Sequence, residues 1–125
     1  MIAEIKIAAP NSLLLVMNGG TVEIPESIDG RLVASTPSCI AVGTLSAADG
    51  ETSVTLTDEN AHVLLDPALR EVFRGNLAMP ERRVEVCTVL LEPILSIAVP
   101  STQGNVQIWA NHETEPDKLV VLVHP

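Results

Sequence analysis

The sequence predicts an all-β domain, a mainly antiparallel sandwich or barrel of about eight to ten short strands with one short α-helix near residues 67–74. Short apolar or alternating segments recur along the 125 residues and are separated by turn residues. This length is typical of one domain, so residues 1–125 are treated as a single unit. The unbroken apolar runs are far shorter than the ~20 residues of a membrane-spanning helix. We therefore expect no membrane association.

Strand patterns are clear in the first half of the chain. AEIKI, residues 3–7, alternates apolar and charged side chains, which is typical of a half-buried strand. SLLLVMN, residues 12–18, is apolar on both faces, and TVEIP, residues 21–25, is a short strand that its proline ends. RLVASTPSCIAVGTL, residues 31–45, is extended on both sides of Pro37, a residue typical of an edge, a bulge or a change of sheet.

A hairpin and a helix are predicted next. Asp49-Gly50 suits a tight turn that leads into TSVTLT, residues 52–57, so we expect a hairpin here. Asp66 and Pro67 suit the N-cap and the first position of a helix, with apolar residues at helical spacing behind them. Further strands are predicted in four segments: RVEVCTVLL at 83–91, ILSIAVP at 94–100, NVQIWAN at 105–111 and KLVVLVH at 118–124.

Several of these later strands are apolar on both faces. One short helix cannot cover a sheet, so a second sheet or another subunit must do so. Trp109 lies beside Gln107 on the face opposite Val106 and Ile108, which makes it either part of a second buried layer or an interface anchor. The sequence therefore favours a homo-oligomer, most simply a dimer.

The formal charge of −9 excludes the usual kinds of nucleic-acid binding. One tryptophan, one phenylalanine and no tyrosine leave little surface for stacking bases. An acidic surface instead suits a basic protein partner. Glu4 and Lys6 interrupt the apolar start of the chain, unlike a secretory signal, so we expect a cytoplasmic protein in which Cys39 and Cys87 are buried, reduced thiols.

The acidic stretch DGETSVTLTDENAHVLLDP, residues 49–67, is a candidate site. It lacks the ligand spacing of a calcium loop, and most of it is explained by turns, core residues and a helix cap. Glu51, Asp58, Glu59 and His62 remain without a structural explanation. If this stretch met the second polar cluster, NHETEPD at 111–117, one divalent metal could be bound, with these candidate ligands: His62, His112, Asp58 and Glu113.

Metal ligation is the less favoured interpretation, and no cofactor is otherwise expected. The basic residues also cluster, since no lysine or arginine lies between Arg31 and Arg70. They either form a solvated face or bind an acidic surface or a carboxylate ligand. The interface candidates are Trp109, Glu51, Glu59, Arg70, Arg74, Arg82 and Arg83.

Three functions remain open, and none is carried by a catalytic motif. The favoured one is a protein-interaction or self-assembling module, of the kind that inhibitors or immunity proteins provide. The second is a small metal-dependent or ligand-binding enzyme that uses His62, His112 and nearby carboxylates. The third is a purely structural oligomer subunit.

Overall fold

The structure is a computed structural model that describes residues 1–18, 22–26, 30–59 and 66–124. It confirms the all-β prediction. It has ten strands: β1 (Ile2–Ile7), β2 (Leu13–Met17), β3 (Val33–Thr36), β4 (Cys39–Gly43), β5 (Thr52–Thr57), β6 (Arg70–Ala78), β7 (Arg83–Thr88), β8 (Pro93–Ala98), β9 (Gln103–Ala110) and β10 (Lys118–His124). One 3₁₀ turn, Pro10–Ser12, is the helical content of these residues. Within the same ranges, no helix is long and apolar enough to cross a membrane.

The strands form two five-stranded sheets. The first has the order β1-β5-β10-β9-β6, and the second has the order β3-β4-β2-β7-β8. All neighbours are antiparallel except β5 and β10, which are parallel. The two sheets pack face to face, so the architecture is a sandwich, which the sequence had not distinguished from a barrel.

The inner faces of both sheets share one apolar core. Val54 and Leu56 of β5 point into it, as their alternation predicts, and Val106 and Ile108 of β9 do the same. These four side chains are at most 1% exposed. The second sheet therefore covers the inner faces of the strands that are apolar on both sides.

The outer faces are covered by the chain itself. On the first sheet, Leu69, which precedes β6, packs with Val120, Leu122 and Trp109. On the second sheet, Val22 packs on a buried cluster of five residues: Leu15, Met17, Cys39, Ala41 and Cys87. Trp109 thus belongs to a second buried layer, one of its two predicted roles. The strands that are apolar on both faces do not require another subunit.

The predicted helix near 67–74 is wrong, because residues 70–78 form strand β6. The register of β6 against β9 shifts between Glu71 and Phe73, which is a β-bulge at Val72. The extra residue breaks the alternation and leaves apolar side chains at a spacing that resembles a helix. Asp66 forms a turn instead, with its Oδ1 accepting a hydrogen bond from Ala68 N at 2.9 Å.

The predicted hairpin at Asp49-Gly50 is also wrong. β4 lies in the second sheet and β5 in the first, so residues 44–51 cross from one sheet to the other. Residues 47–49 do form a turn, as Asp49-Gly50 suggests, but this turn joins strands that do not pair with each other. Pro37, in contrast, lies in the tight turn of the hairpin between β3 and β4.

Candidate protein-interaction surface

Four connections, β1–β2, β4–β5, β7–β8 and β9–β10, lie at one end of the sandwich, which we call the loop end. Thr44 N donates a hydrogen bond to Ser12 O at 2.8 Å, and Leu45 N donates one to Pro116 O at 2.9 Å. These bonds tie three connections into one surface. The loop end comprises residues 8–12, 30–32, 44–51, 66–69, 89–92 and 111–117.

The two polar clusters picked out in the sequence meet only in part. Ser53 N donates to Asp117 O at 2.8 Å, so the start of β5 lies against the 111–117 loop. A shallow cavity of about 390 Å³ is lined by Glu51 together with Asn111 and Asp117. Asp58 follows the far end of β5, where its Oδ1 lies 2.6 Å from the amine of Met1. The acidic stretch is therefore divided between the two ends of the sandwich.

The 111–117 loop is held in shape by its own side chains. The ring nitrogen Nδ1 of His112 accepts hydrogen bonds from Thr114 N at 3.1 Å and from Glu115 N at 3.0 Å. Asn111 Nδ2 donates to Asp117 Oδ1 at 2.6 Å. The loop therefore has its own hydrogen-bonded frame, and Glu113 and Glu115 are exposed on it.

The loop end carries more negative than positive side chains. Its border and loops hold seven carboxylates, Asp49, Glu51, Asp66, Glu92, Glu113, Glu115 and Asp117, and four cationic side chains, Lys6, Arg31, Arg70 and Lys118. At the opposite end, the described carboxylates include Glu23, Asp58, Glu59, Glu81 and Glu85, and the cations include Arg82, Arg83 and the Met1 amine. The loop end is thus net acidic, with seven carboxylates against four cationic side chains.

One ion pair at the loop end predicts a pH dependence of stability. A hydrogen bond from Lys118 holds the pKa of Asp66 below its ordinary value of 3.8, and a bond from Ala68 N acts in the same direction. A carboxylate with a depressed pKa stabilises the fold above its unfolded-state pKa, and this contribution is lost as the pH falls through the folded-state value. Wild type should therefore be more stable than Asp66→Asn at pH 6, and the difference should shrink as the pH falls below the ordinary pKa of 3.8.

Urea unfolding of both proteins across that pH range measures the effect. Asparagine can still accept the hydrogen bond from Ala68 N, so the comparison isolates the charge. A stability difference that stays constant down to pH 3 would contradict this account of the pair.

The metal candidates do not come together as a set. His112 and Glu113 lie at the loop end, whereas Asp58 follows the opposite end of β5, six residues of extended chain away. Since a strand of that length spans ~20 Å, Asp58 and His112 cannot bind the same ion. His62 lies outside the described residues. Within the described ranges, no group of three or more histidine, cysteine, aspartate or glutamate side chains is placed to hold a metal.

The interface candidates are distributed over the molecule. Glu51 and Arg70 lie at the loop end, where Arg70 lines a cavity of about 250 Å³ with His112 and Glu113. At the opposite end, Glu59 lies near the Met1 amine.

Three of the arginines lie away from the loop end. Arg82 lies in the turn between β6 and β7, and the guanidinium of Arg83 is 3.3 Å from both Glu81 and Glu85. Arg74 binds Glu71 through two hydrogen bonds of 2.8 and 3.0 Å. Arg70 and Arg74 lie on strand β6 and not on the helix predicted near 67–74.

The cysteines are buried free thiols, as expected. Burial, with a smaller contribution from Cys87, raises the pKa of Cys39 to about 11. Burial, followed by the charge of Glu85, raises the pKa of Cys87 to about 11. A thiol with so high a pKa holds almost no thiolate at neutral pH, so neither cysteine is suited to nucleophilic chemistry.

An exposed apolar pair at the loop end was missed by the sequence analysis. Leu90 and Leu91, 68% and 55% exposed, lie in the turn between β7 and β8. In the sequence they continue the apolar run of RVEVCTVLL and were therefore assigned to a strand. The Glu92-Pro93 pair that follows them was the available sign of a turn.

Comparison with known proteins gives a match in fold. No protein-family model matches the chain, and no curated protein sequence matches it. The fold is similar to that of ComJ from Bacillus subtilis, an inhibitor of the DNA degrading activity of NucA. The TM-score is 0.70 at 10% identity, covering 98% of this chain and 97% of ComJ. The product of crocagin biosynthetic gene J is also similar, with a TM-score of 0.61 at 13% identity over 100% of this chain and 97% of that one.

Proposed function

We propose that this protein is a binding module that inhibits or sequesters a basic protein partner, which it contacts through the loop end. The observation that carries the proposal is the loop end itself, where separate connections are hydrogen-bonded into one acidic, shaped surface. Inhibitors need only such a complementary surface and no catalytic group. The likeness in fold to ComJ, which inhibits another protein, supports the same class of function.

A heterologous partner is favoured over self-assembly. The argument for a homodimer was the apolar surface on both sides of the strands, and the second sheet and the connections cover that surface. An acidic protein is also a poor partner for itself, because two copies with a charge of −9 repel each other.

The proposal predicts a partner of opposite charge and a strong dependence on salt. Cross-linking in cells that produce the protein, followed by mass spectrometry and reconstitution from purified components, should identify a basic protein that binds in a fixed ratio. Its affinity should fall at least about tenfold between about 50 and about 500 mM NaCl, because salt screens attraction between exposed charges. If the partner is an enzyme, binding should also lower its activity.

Variants in which carboxylates are replaced by neutral amides test whether the loop end is the binding surface. Glu113→Gln with Glu115→Gln should slow association with the partner, because both carboxylates are exposed on the 111–117 loop. Glu4→Gln with Glu59→Gln removes the same charge elsewhere and serves as the control. Equal slowing by both pairs, or a protein that associates only with itself, would contradict the proposal.

A further inference from the structure

The β7–β8 hairpin ends in a three-residue loop with an unusual residue in its last position. Leu91 N donates to Thr88 O at 2.9 Å, and Thr88 N donates to Glu92 O at 3.0 Å. Leu91 has a φ of 63°, in the left-handed region. A turn followed by a left-handed residue is a common hairpin closure, and glycine is the residue that usually fills the left-handed position.

Leucine is a poor choice for this position. A bulky side chain with positive φ brings Cβ too close to the backbone, so leucine is disfavoured there relative to glycine or asparagine. Its side chain is also 55% exposed, so burial does little to offset this cost. Neither backbone conformation nor core packing explains why leucine occupies the position.

The neighbouring residue adds to the exposed apolar surface. Leu90 is 68% exposed, so two large aliphatic side chains stand together at the tip of the hairpin. Elsewhere on the loop end, the exposed side chains are mainly charged or small. An apolar centre with a charged surround is the usual anatomy of a protein–protein interface.

We propose that Leu90 and Leu91 form the apolar anchor of the loop end and insert into an apolar pocket on the basic partner. This inference rests on the proposed function and adds the part of the surface that determines how long the complex lasts. Glu92 follows the pair directly and is exposed, so it complements a basic side chain beside that pocket. Charged side chains increase the rate of association, whereas a buried anchor slows dissociation.

A membrane is a less suitable occupant than a protein. Two exposed leucines could enter a lipid surface, but peripheral proteins that bind anionic membranes do so with basic residues around the apolar ones. The charged residue next to the leucine pair is acidic, Glu92, and the chain carries a charge of −9.

A glycine substitution at position 91 distinguishes a residue that binds the partner from one that only stabilises the fold. Leu91→Gly should raise the melting temperature by a few degrees, because relief of the steric strain of a left-handed leucine outweighs the greater entropy that glycine loses on folding. The same variant should weaken binding to the reconstituted basic partner at least about tenfold, mainly through faster dissociation. Leu90→Ser should weaken binding to a similar extent without a gain in stability.

Arg82→Gly is the matched control. Arg82 also has a left-handed backbone, with a φ of 55°, but it lies in the β6–β7 turn at the opposite end of the sandwich. This variant should gain stability and bind the partner as wild type does. Leu91→Gly and Leu90→Ser proteins that retain wild-type affinity would overturn the anchor while leaving the proposed function intact. Wild type that binds no basic protein overturns both, and wild type that binds phosphatidylserine-containing vesicles overturns the protein pocket as the occupant.

Discussion

Replacement of Gly104 by alanine is expected to lower the free energy of unfolding by about 3 kcal/mol or more, which is a large share of the ~5–15 kcal/mol of a typical domain. An added Cβ would contact the backbone oxygen of His124 and would lie 2.6 Å from Met79 Cε. The oxygen belongs to β10, the middle strand of its sheet, and cannot move without disturbing the pairing of β9 with β10. Urea unfolding followed by circular dichroism measures the loss.

Gly75→Ala is the comparison that tests the explanation. Its Cβ would lie 2.8 Å from the ring of Phe73, but the contact is with the far end of a side chain that is only partly buried. The ring can rotate away, so we expect a loss of about 1 kcal/mol. Similar losses from the two substitutions would show that the backbone oxygen of His124 is not the obstacle.

Leu122→Ala is expected to cost about 3 kcal/mol even though Leu122 lies on the outer face of its sheet. Its side chain is 1% exposed and packs with Leu69, Val120 and Trp109. The cover comes from the same chain, so the loss of stability should not depend on protein concentration. Thermal unfolding at concentrations about a hundredfold apart provides the measurement.

Thermal unfolding at the two protein concentrations also distinguishes an outer face covered by its own chain from one covered by a second subunit. If the outer face were buried by a second subunit, the wild-type melting temperature would rise with concentration, and Leu122→Ala would shift the protein towards the monomer. Thr55→Ala is a suitable control, because Thr55 faces outward on the same sheet, opposite Val120, but is only half-buried.

The spacing of the apolar residues predicted the strands that alternate regularly, but it did not predict the strand that contains a bulge. AEIKI and TSVTLT alternate because one face of each is buried, and both became strands. The helix predicted near 67–74 is wrong because a bulge at Val72 changes the spacing of the apolar residues in β6. Local spacing contains no information about the partner strand β9, which imposes the bulge.

Long-range pairing also limited what could be predicted of the candidate site. Asp49-Gly50 is a good turn in either context, but whether it joins paired strands depends on the sheet to which each strand belongs. The acidic character of the surface could be predicted from composition. The exposed leucines were not predicted, because they continue the apolar run at 83–91 and only the Glu92-Pro93 pair after them indicates a turn, whereas the strand ends at Thr88.

The position of β10 restricts the order in which the protein can fold. β10 pairs with β5 on one side and β9 on the other, so the β1-β5 and β9-β6 halves of the first sheet have no strand pairing with each other until β10 enters between them. During synthesis, β10 is the last of the ten strands to leave the ribosome. Until then, β5 and β9 each present an unpaired edge that could recruit a strand from another chain. The nascent chain is therefore most open to aggregation through these strand edges just before β10 emerges.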